Sequence, residues 1–248
     1  MTDPRDPLFA ALDATWPPAH VFSKGPWTLR EGAGGGKRVS AATASRPVSD
    51  DEIVDAENQM AALGQSALFM ITPQDDTLDA MLDARGYDIV DPVVILTIPI
   101  ARLTDKPMPR LVAFEIWRPL AIMEEIWAAG GIGSARLNVM ARADVKTAIF
   151  TRWDQKPAGV GFVAAQGSIA MVHAVEVLSH QRRKGVAQWI MRQAADWAAR
   201  QGARTIAVLC VKSNAAALEL YSNLGFEVET AYHYRQETNV GAISNGKN

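Results

Sequence analysis

This 248-residue sequence predicts a mixed α/β (α+β) fold, on three observations. Lys146–Trp153, Ala158–Gln166 and Ser168–Leu178 are apolar, β-rich runs separated by the short turn signals Asp154-Gln155-Lys156-Pro157 and Gly167, so they read as a hairpin followed by a long strand. Beyond them a helix from about Gly185 to Gln201 is closed by Gly202, Thr205–Val211 is strand-like, Asn214–Asn223 is a helix closed by Gly225, and Phe226–Gln236 is a last strand. The third observation is internal: a shift of 139 residues lays Ser66–Thr72 on Thr205–Val211, Met81 on Leu220 and Gly86-Tyr87 on Gly225-Phe226, with no gap. Helix Asp51–Leu63 then falls within the helix that follows Gly185.

Val93–Ile98 reads as a strand and the Pro99–Pro109 stretch directly after it, with three prolines, as a linker. The domains expected are therefore residues 1–106 and 107–248. The second opens with a strand at Val112–Ile116 and a helix at Pro119–Ala129, stopped by Gly130-Gly131. Thr238–Asn248 is polar and expected to fray.

Composition narrows the function classes. With 48% apolar and 21% charged residues the chain can bury a core, which excludes disorder, collagen and coiled coil. The longest apolar runs fall short of the ~18 residues of a membrane span, and Met1–Pro7 lacks the layout of a secretory signal. A soluble, cytoplasmic protein without a membrane partner is expected. One cysteine, Cys210, and four scattered histidines provide no metal-ligand spacing, so no metal is expected. Net charge is divided: residues 1–106 hold 9 Lys+Arg against 16 Asp+Glu, and residues 107–248 hold 16 against 11. That moderate basic excess suits a small polyanion better than nucleic acid, which calls for a denser basic stripe.

The polyanion has an evident landing place. Val175–Ala187 runs from a buried strand through Ser179-His180-Gln181-Arg182-Arg183-Lys184-Gly185 into a helix. Glycine there admits close backbone approach, the helix start presents unpaired amides, and three side chains add positive charge. Arg182-x-x-Gly185-x-Ala187 resembles the pyrophosphate loop of the GCN5-related N-acetyltransferase family. Asn214-x-x-Ala217-x-x-x-Tyr221-x-x-x-Gly225-Phe226 is similar to the same family's second motif. The resemblance covers about residues 110–236; the first half resembles a degenerate copy.

The resemblance implies a mostly antiparallel sheet flanked by helices, in tandem, with acetyl-CoA as acyl donor. Backbone amides from Arg183 through Lys184, Gly185 and Val186 to Ala187 would hold the pyrophosphate, reinforced by the side chains of Arg182, Arg183 and Lys184. Val175 and Val177 would pair with the pantetheine arm where their strand splays from Thr205–Val211, and Asn214 would bind the arm from the other side. Tyr221 would sit near the thioester sulfur. Ser179 and His180 depart from the family's commoner Pro-Glu pair.

An alkyl amine of pKa ~10.4 is protonated at pH 7, so attack on a thioester needs a base and the departing thiolate needs a proton. Tyr221 suits the second role. For the base, His173 is the leading candidate on strand parity with Val175 and Val177; Glu115 is another, while Glu176 is expected on the opposite face. The expected activity is direct acetyl transfer to a primary amine of a small molecule or protein. The alternatives are a catalytically silent acyl-CoA-binding or scaffold protein, and an interaction module that binds no coenzyme.

Other features invite over-reading. Gly32–Arg38 lacks the glycine and hydroxyl positions of a phosphate loop and reads as a hairpin turn between Trp27–Arg30 and Val39–Ala42. Arg46–Glu52, the counterpart of the basic loop, has no glycine and ends in three acids, so the first half should bind no coenzyme A. It would shape the acceptor side or a subunit contact, which leaves a homodimer open. Gly130–Gly133 is no dinucleotide fingerprint; the resemblance puts it beside the acceptor, with specificity in a loop to Arg142. Trp117, Trp127, Trp153, Trp189 and Trp197 read as core or interface, and Cys210 as a small buried hydrophobe.

Overall fold

In the computed structural model, which describes residues 7–237, eighteen helices and strands follow the chain. They are α1 (Pro7–Thr15), β1 (His20–Lys24), β2 (Trp27–Glu31), β3 (Thr43–Ala44), α2 (Asp50–Ala62), β4 (Leu68–Ile71), α3 (Asp76–Ala84), β5 (Tyr87–Pro99) and β6 (Ala113–Ile116). After them come α4 (Ala121–Ala129), α5 (Ser134–Arg142), β7 (Val145–Trp153), β8 (Lys156–Gln166), β9 (Ile169–Val177), α6 (Val186–Arg200), β10 (Thr205–Val211), α7 (Ala215–Leu224) and β11 (Glu227–Glu237). The tail from Thr238 lies outside the described residues.

One eight-stranded sheet runs β4-β11-β5-β10-β9-β8-β7-β6, and β1-β2-β3 form a small second sheet. Every pair in the large sheet is antiparallel except β9 with β10, which are parallel because helix α6 carries the chain across between them. The β7–β8 turn is made by Asp154 and Gln155, both left-handed at φ 49° and 60°, a twist that suits a two-residue hairpin.

The repeat is built into the sheet itself. A shift of 139 carries β4, α3 and β5 onto β10, α7 and β11 to within two residues at each boundary. It also turns the β4–β11 pairs, Ile71↔His233 through Leu68↔Gln236, into the β10–β5 pairs Cys210↔Val94 through Ala207↔Thr97. Val93↔Tyr232 maps onto itself, so a local twofold passes there. Each copy's last strand therefore pairs with the other copy's inner strand. Residue 107 falls between β5 and β6 along the chain, yet β5 lies inside the sheet between β10 and β11. Its connection to β6 is docked: Ile100 and Leu103 are buried, and Arg192 of α6 donates to the Leu103 carbonyl at 2.9 Å and pairs with Asp105.

Helix α6 covers one sheet face through Val186, Ile190, Met191 and Ala194, against Val172, Val208 and Ile98. The opposite face carries Trp16, Met123, Trp127 and Phe162, with α1 packing over β8 and β9. Glycines on β8 let α6 come close. A Cβ on Gly161 would stand 2.6 Å from Ile190 Cγ2, and one on Gly159 would stand 2.7 Å from the Glu176 carbonyl oxygen. Gly161→Ala should accordingly lower stability by about 1–3 kcal/mol through overpacking, read as a lower urea midpoint at unchanged slope.

Several expectations change. Helices α1 and α5 and strand β1 were not anticipated, and Gly130–Arg142, expected as a loop, is mostly the helix α5. The partner of β2 is Thr43–Ala44, while Lys37–Val39 form a 3-10 turn, because Val39 and Ala41 are drawn into the core instead of continuing a strand.

Candidate active site

The centre of the site is a fork in the sheet. Strands β9 and β10 pair only from Ile169↔Thr205 to Val172↔Val208; beyond that point β9 stays with β8, and β10 with β5. A bulge at Ala174, left-handed at φ 51°, marks the divergence, where the β8–β9 register slips between Phe162↔His173 and Val160↔Glu176. Trp127 of α4 pins the bulge by donating its indole N–H to the Ala174 carbonyl at 2.8 Å. Past it, Val175–Val177 present a strand edge with no β10 partner, a slot for an extended chain with amide groups.

Below the fork lies the basic loop. Arg183 (φ 63°) and Gly185 (φ 80°) are both left-handed, and the turn they make brings successive amides to the start of α6. The first helical amide with a partner is that of Trp189, which donates to the Gly185 carbonyl; the amides of Arg183 to Gln188 find no acceptor among the described residues. A Cβ on Gly185 would meet nothing within 4 Å. The loop is held from behind, since Arg182 donates Nε to the Val177 carbonyl at 3.2 Å and Lys184 donates to Gln181 Oε1 at 3.0 Å. This arrangement of free amides, helix start and exposed cations fits a pyrophosphate.

Across the fork, α7 begins at Asn214, whose Oδ1 accepts from the Ala217 amide at 3.1 Å and so caps the helix, leaving its amide nitrogen for another partner. Tyr221 is buried on the α6 face, tilted against Phe226 at 5.5 Å, in the cluster that holds Val172, Val186 and Cys210. Burial, with Cys210 beside it, pushes its phenol well above the ordinary tyrosine range. It keeps its proton throughout the neutral range.

The candidate bases sort differently from the strand-parity expectation. The bulge inserts one residue and reverses the alternation, so His173 and Glu176 share the face opposite Val175 and Val177. His173 is 5% exposed. Its Nδ1 accepts from Arg38 at 3.1 Å, and its Nε2–H then donates to Thr15 Oγ1 at 3.0 Å, while the threonine hydroxyl is committed to the Ala11 carbonyl at 2.7 Å. Burial and the nearby Arg38 charge hold it neutral, well below the usual histidine range, and it has no lone pair to spare. Glu115 sits on the edge strand β6, bound to Gln193 and Arg200. Glu176 lies against the Gly130 turn, where a Cβ would come within 2.4 Å of its carboxyl carbon. Burial raises its pKa, partly offset by Arg182. The signal available in the sequence was the glycine at 130, whose missing Cβ leaves room for that carboxylate.

The corresponding helix start in the first copy is closed. Ser49 and Glu52 cap α2 reciprocally at 3.4 and 3.0 Å, and Arg46 binds Glu52 at 2.7 Å, holding its pKa at about 2. Among the described residues no helix is long and apolar enough to cross a membrane, and no group of three or more His, Cys, Asp or Glu is placed to hold a metal ion.

The sheet forks beside a helix start with open amides, where the two sequence motifs lie. Residues 119–226 match the Acetyltransferase (GNAT) family, and that match places them in the GCN5-related N-acetyltransferase superfamily. An uncharacterized N-acetyltransferase of Bacillus subtilis, YobR, is 24% identical over 233 residues, which cover 90% of this chain and 94% of the relative. A GCN5-related N-acetyltransferase from Kribbella flavida superposes with a TM-score of 0.65 at 19% identity, covering 94% of this chain and 96% of that one. A tandem GNAT protein from the clavulanic acid biosynthesis pathway superposes at 0.62 and 11% identity, covering 95% and 88%. These structures share the fold: a mixed, mostly antiparallel sheet flanked by helices.

Proposed function

We propose that the chain transfers an acetyl group directly from acetyl-CoA to a primary amine, with the coenzyme site wholly within residues 107–248 and none in residues 1–106. The observation that carries this reading is the fork between β9 and β10 opening beside the free amides of Arg183–Gln188. Acetyl-CoA supplies the acyl group as an activated thioester. The loop amides, with Arg182, Arg183 and Lys184, hold the diphosphate; the edge of Val175–Val177 and Asn214 align the arm in the fork. On the far face Glu176, replacing His173 in that role, takes the proton that the acceptor ammonium must lose before it attacks. Tyr221, on the α6 face, presents its proton to the sulfur as negative charge develops there.

The burial that raises the Glu176 pKa makes it a better base near neutrality, and it makes its ionised form a burden on the fold. A carboxyl whose folded pKa lies above its unfolded value contributes stability below the unfolded pKa and loses it as pH rises through the folded one. Glu176→Gln should therefore melt higher than the native protein at pH 7 while losing the acid limb of its kcat/KM profile and most of its turnover. A normal carboxylate limb, or an unchanged rate in the variant, removes Glu176 from this role.

The deciding assay is release of free thiol from acetyl-CoA across a panel of amines. Amine-dependent release establishes the transferase; coenzyme binding without release for any amine identifies a silent acyl-CoA-binding protein.

A further inference from the structure

Arg38 comes from the first copy and reaches the acceptor face of the second. It sits in the turn after Lys37, its guanidinium lies 5.5 Å from the Trp16 ring centre, and one Nη donates to His173 Nδ1 at 3.1 Å. Its Nε is buried without a partner, and its other Nη binds nothing among the described residues. His173 is uncharged, and Asp91, which acts with Arg38 on Tyr234, is paired with Lys37 at 2.8 Å. The inner arginines elsewhere each have a carboxylate, Arg30 with Asp13 at 2.8 Å and Arg235 with Asp79 at 2.6 Å and Asp83 at 2.8 Å. A half-buried guanidinium with unused donors and no counter-charge is an anion site waiting for its anion.

Its place along the sheet says whose anion. His173, which Arg38 grips, and Glu176 stand opposite Phe162 and Val160 of β8, so with the bulge between them they are a span of about 7 Å apart, on the same face of the fork. The charge that acts on the Glu176 carboxylate is that of Arg182. We propose that Arg38 is a specificity residue that binds a carboxylate on the acceptor, so that the preferred substrates are amines carrying a carboxylate several bonds away. This rests on the transfer reaction proposed above, with the amine at Glu176.

The test pairs linear ω-amino acids, from β-alanine to 6-aminohexanoate, with their carboxamides, which have the same amine and no charge at the far end. The native protein should favour the acid of the best pair by about ten- to a hundredfold in kcat/KM. Arg38→Gln should bring that ratio close to one, and Arg38→Lys should restore part of it. Acetyl-CoA should protect both variants against heat as it does the native protein, which reports an intact fold and coenzyme site. A native ratio near one overturns the assignment, as does a ratio that survives Arg38→Gln or an equal fall for both members of the pair. Failure of acetyl-CoA to bind the native protein overturns the transfer reading itself.

Discussion

Gly185→Glu should abolish the protection against thermal unfolding that the proposed site predicts acetyl-CoA will give the native protein. At 100 times its dissociation constant a ligand adds about 2.7 kcal/mol, a shift of about 5–10 °C for a chain of this length. Two effects act together at position 185. The residue is left-handed at φ 80°, which costs an L-amino acid about 1–2 kcal/mol. Its missing Cβ faces open space, so a glutamate would extend unhindered among the amides proposed to hold the diphosphate and would repel it. Gly185→Ala separates the two, since it carries the backbone strain without the charge: it should melt lower than the native protein and still respond to acetyl-CoA. Loss of the response in Gly185→Glu alone supports the cradle; equal protection of both variants and the native protein would refute it.

Tyr221→Phe should reduce kcat by about 10²–10⁴ while the acetyl-CoA thermal shift stays within a degree or so of native. Phenylalanine keeps the ring that packs on Phe226, so the α7 contact survives and only the hydroxyl is lost. Because burial raises the phenol's pKa, the native rate should not fall through ionisation of Tyr221 until strongly alkaline pH. Single-turnover kinetics decide between roles: a slowed chemical step at unchanged coenzyme affinity fits the proton donor, whereas weakened binding with native chemistry would reduce Tyr221 to a packing residue.

Local signals made much of this legible. Arg182-x-x-Gly185-x-Ala187 needs glycine because only glycine adopts the left-handed turn there cheaply, and the chain shows that turn. The Asn214 cap and the Gly225 stop of α7 lie where helix chemistry puts them. The 139-residue repeat was readable because strand and helix lengths are local properties. The reciprocal pairing of β5 and β11 was not, since antiparallel edges of similar apolar pattern do not announce which partner they join.

The base illustrates the same divide at one residue. Strand alternation put His173 with Val175 and Glu176 on the other side, and a single inserted residue at Ala174 reversed it. Nothing in Val172–Val177 marks the bulge, which depends on Trp127, 47 positions earlier, holding the Ala174 carbonyl. Arg38 lies 135 positions from His173 and was read only as a departure from a phosphate loop.

By itself the sequence determined the family motifs of residues 119–226, the left-handed glycine turn into α6 and the 139-residue spacing of elements, because each rests on residues that are neighbours in the chain and on conformations those residues alone prefer. Tertiary structure decided which strand fills the middle of the sheet, which carboxylate lies beyond the bulge against Gly130 and which cation from the first half reaches His173. Those outcomes depend on packing between distant segments, where the burial of a charge or a carbonyl is settled by whatever the fold brings beside it.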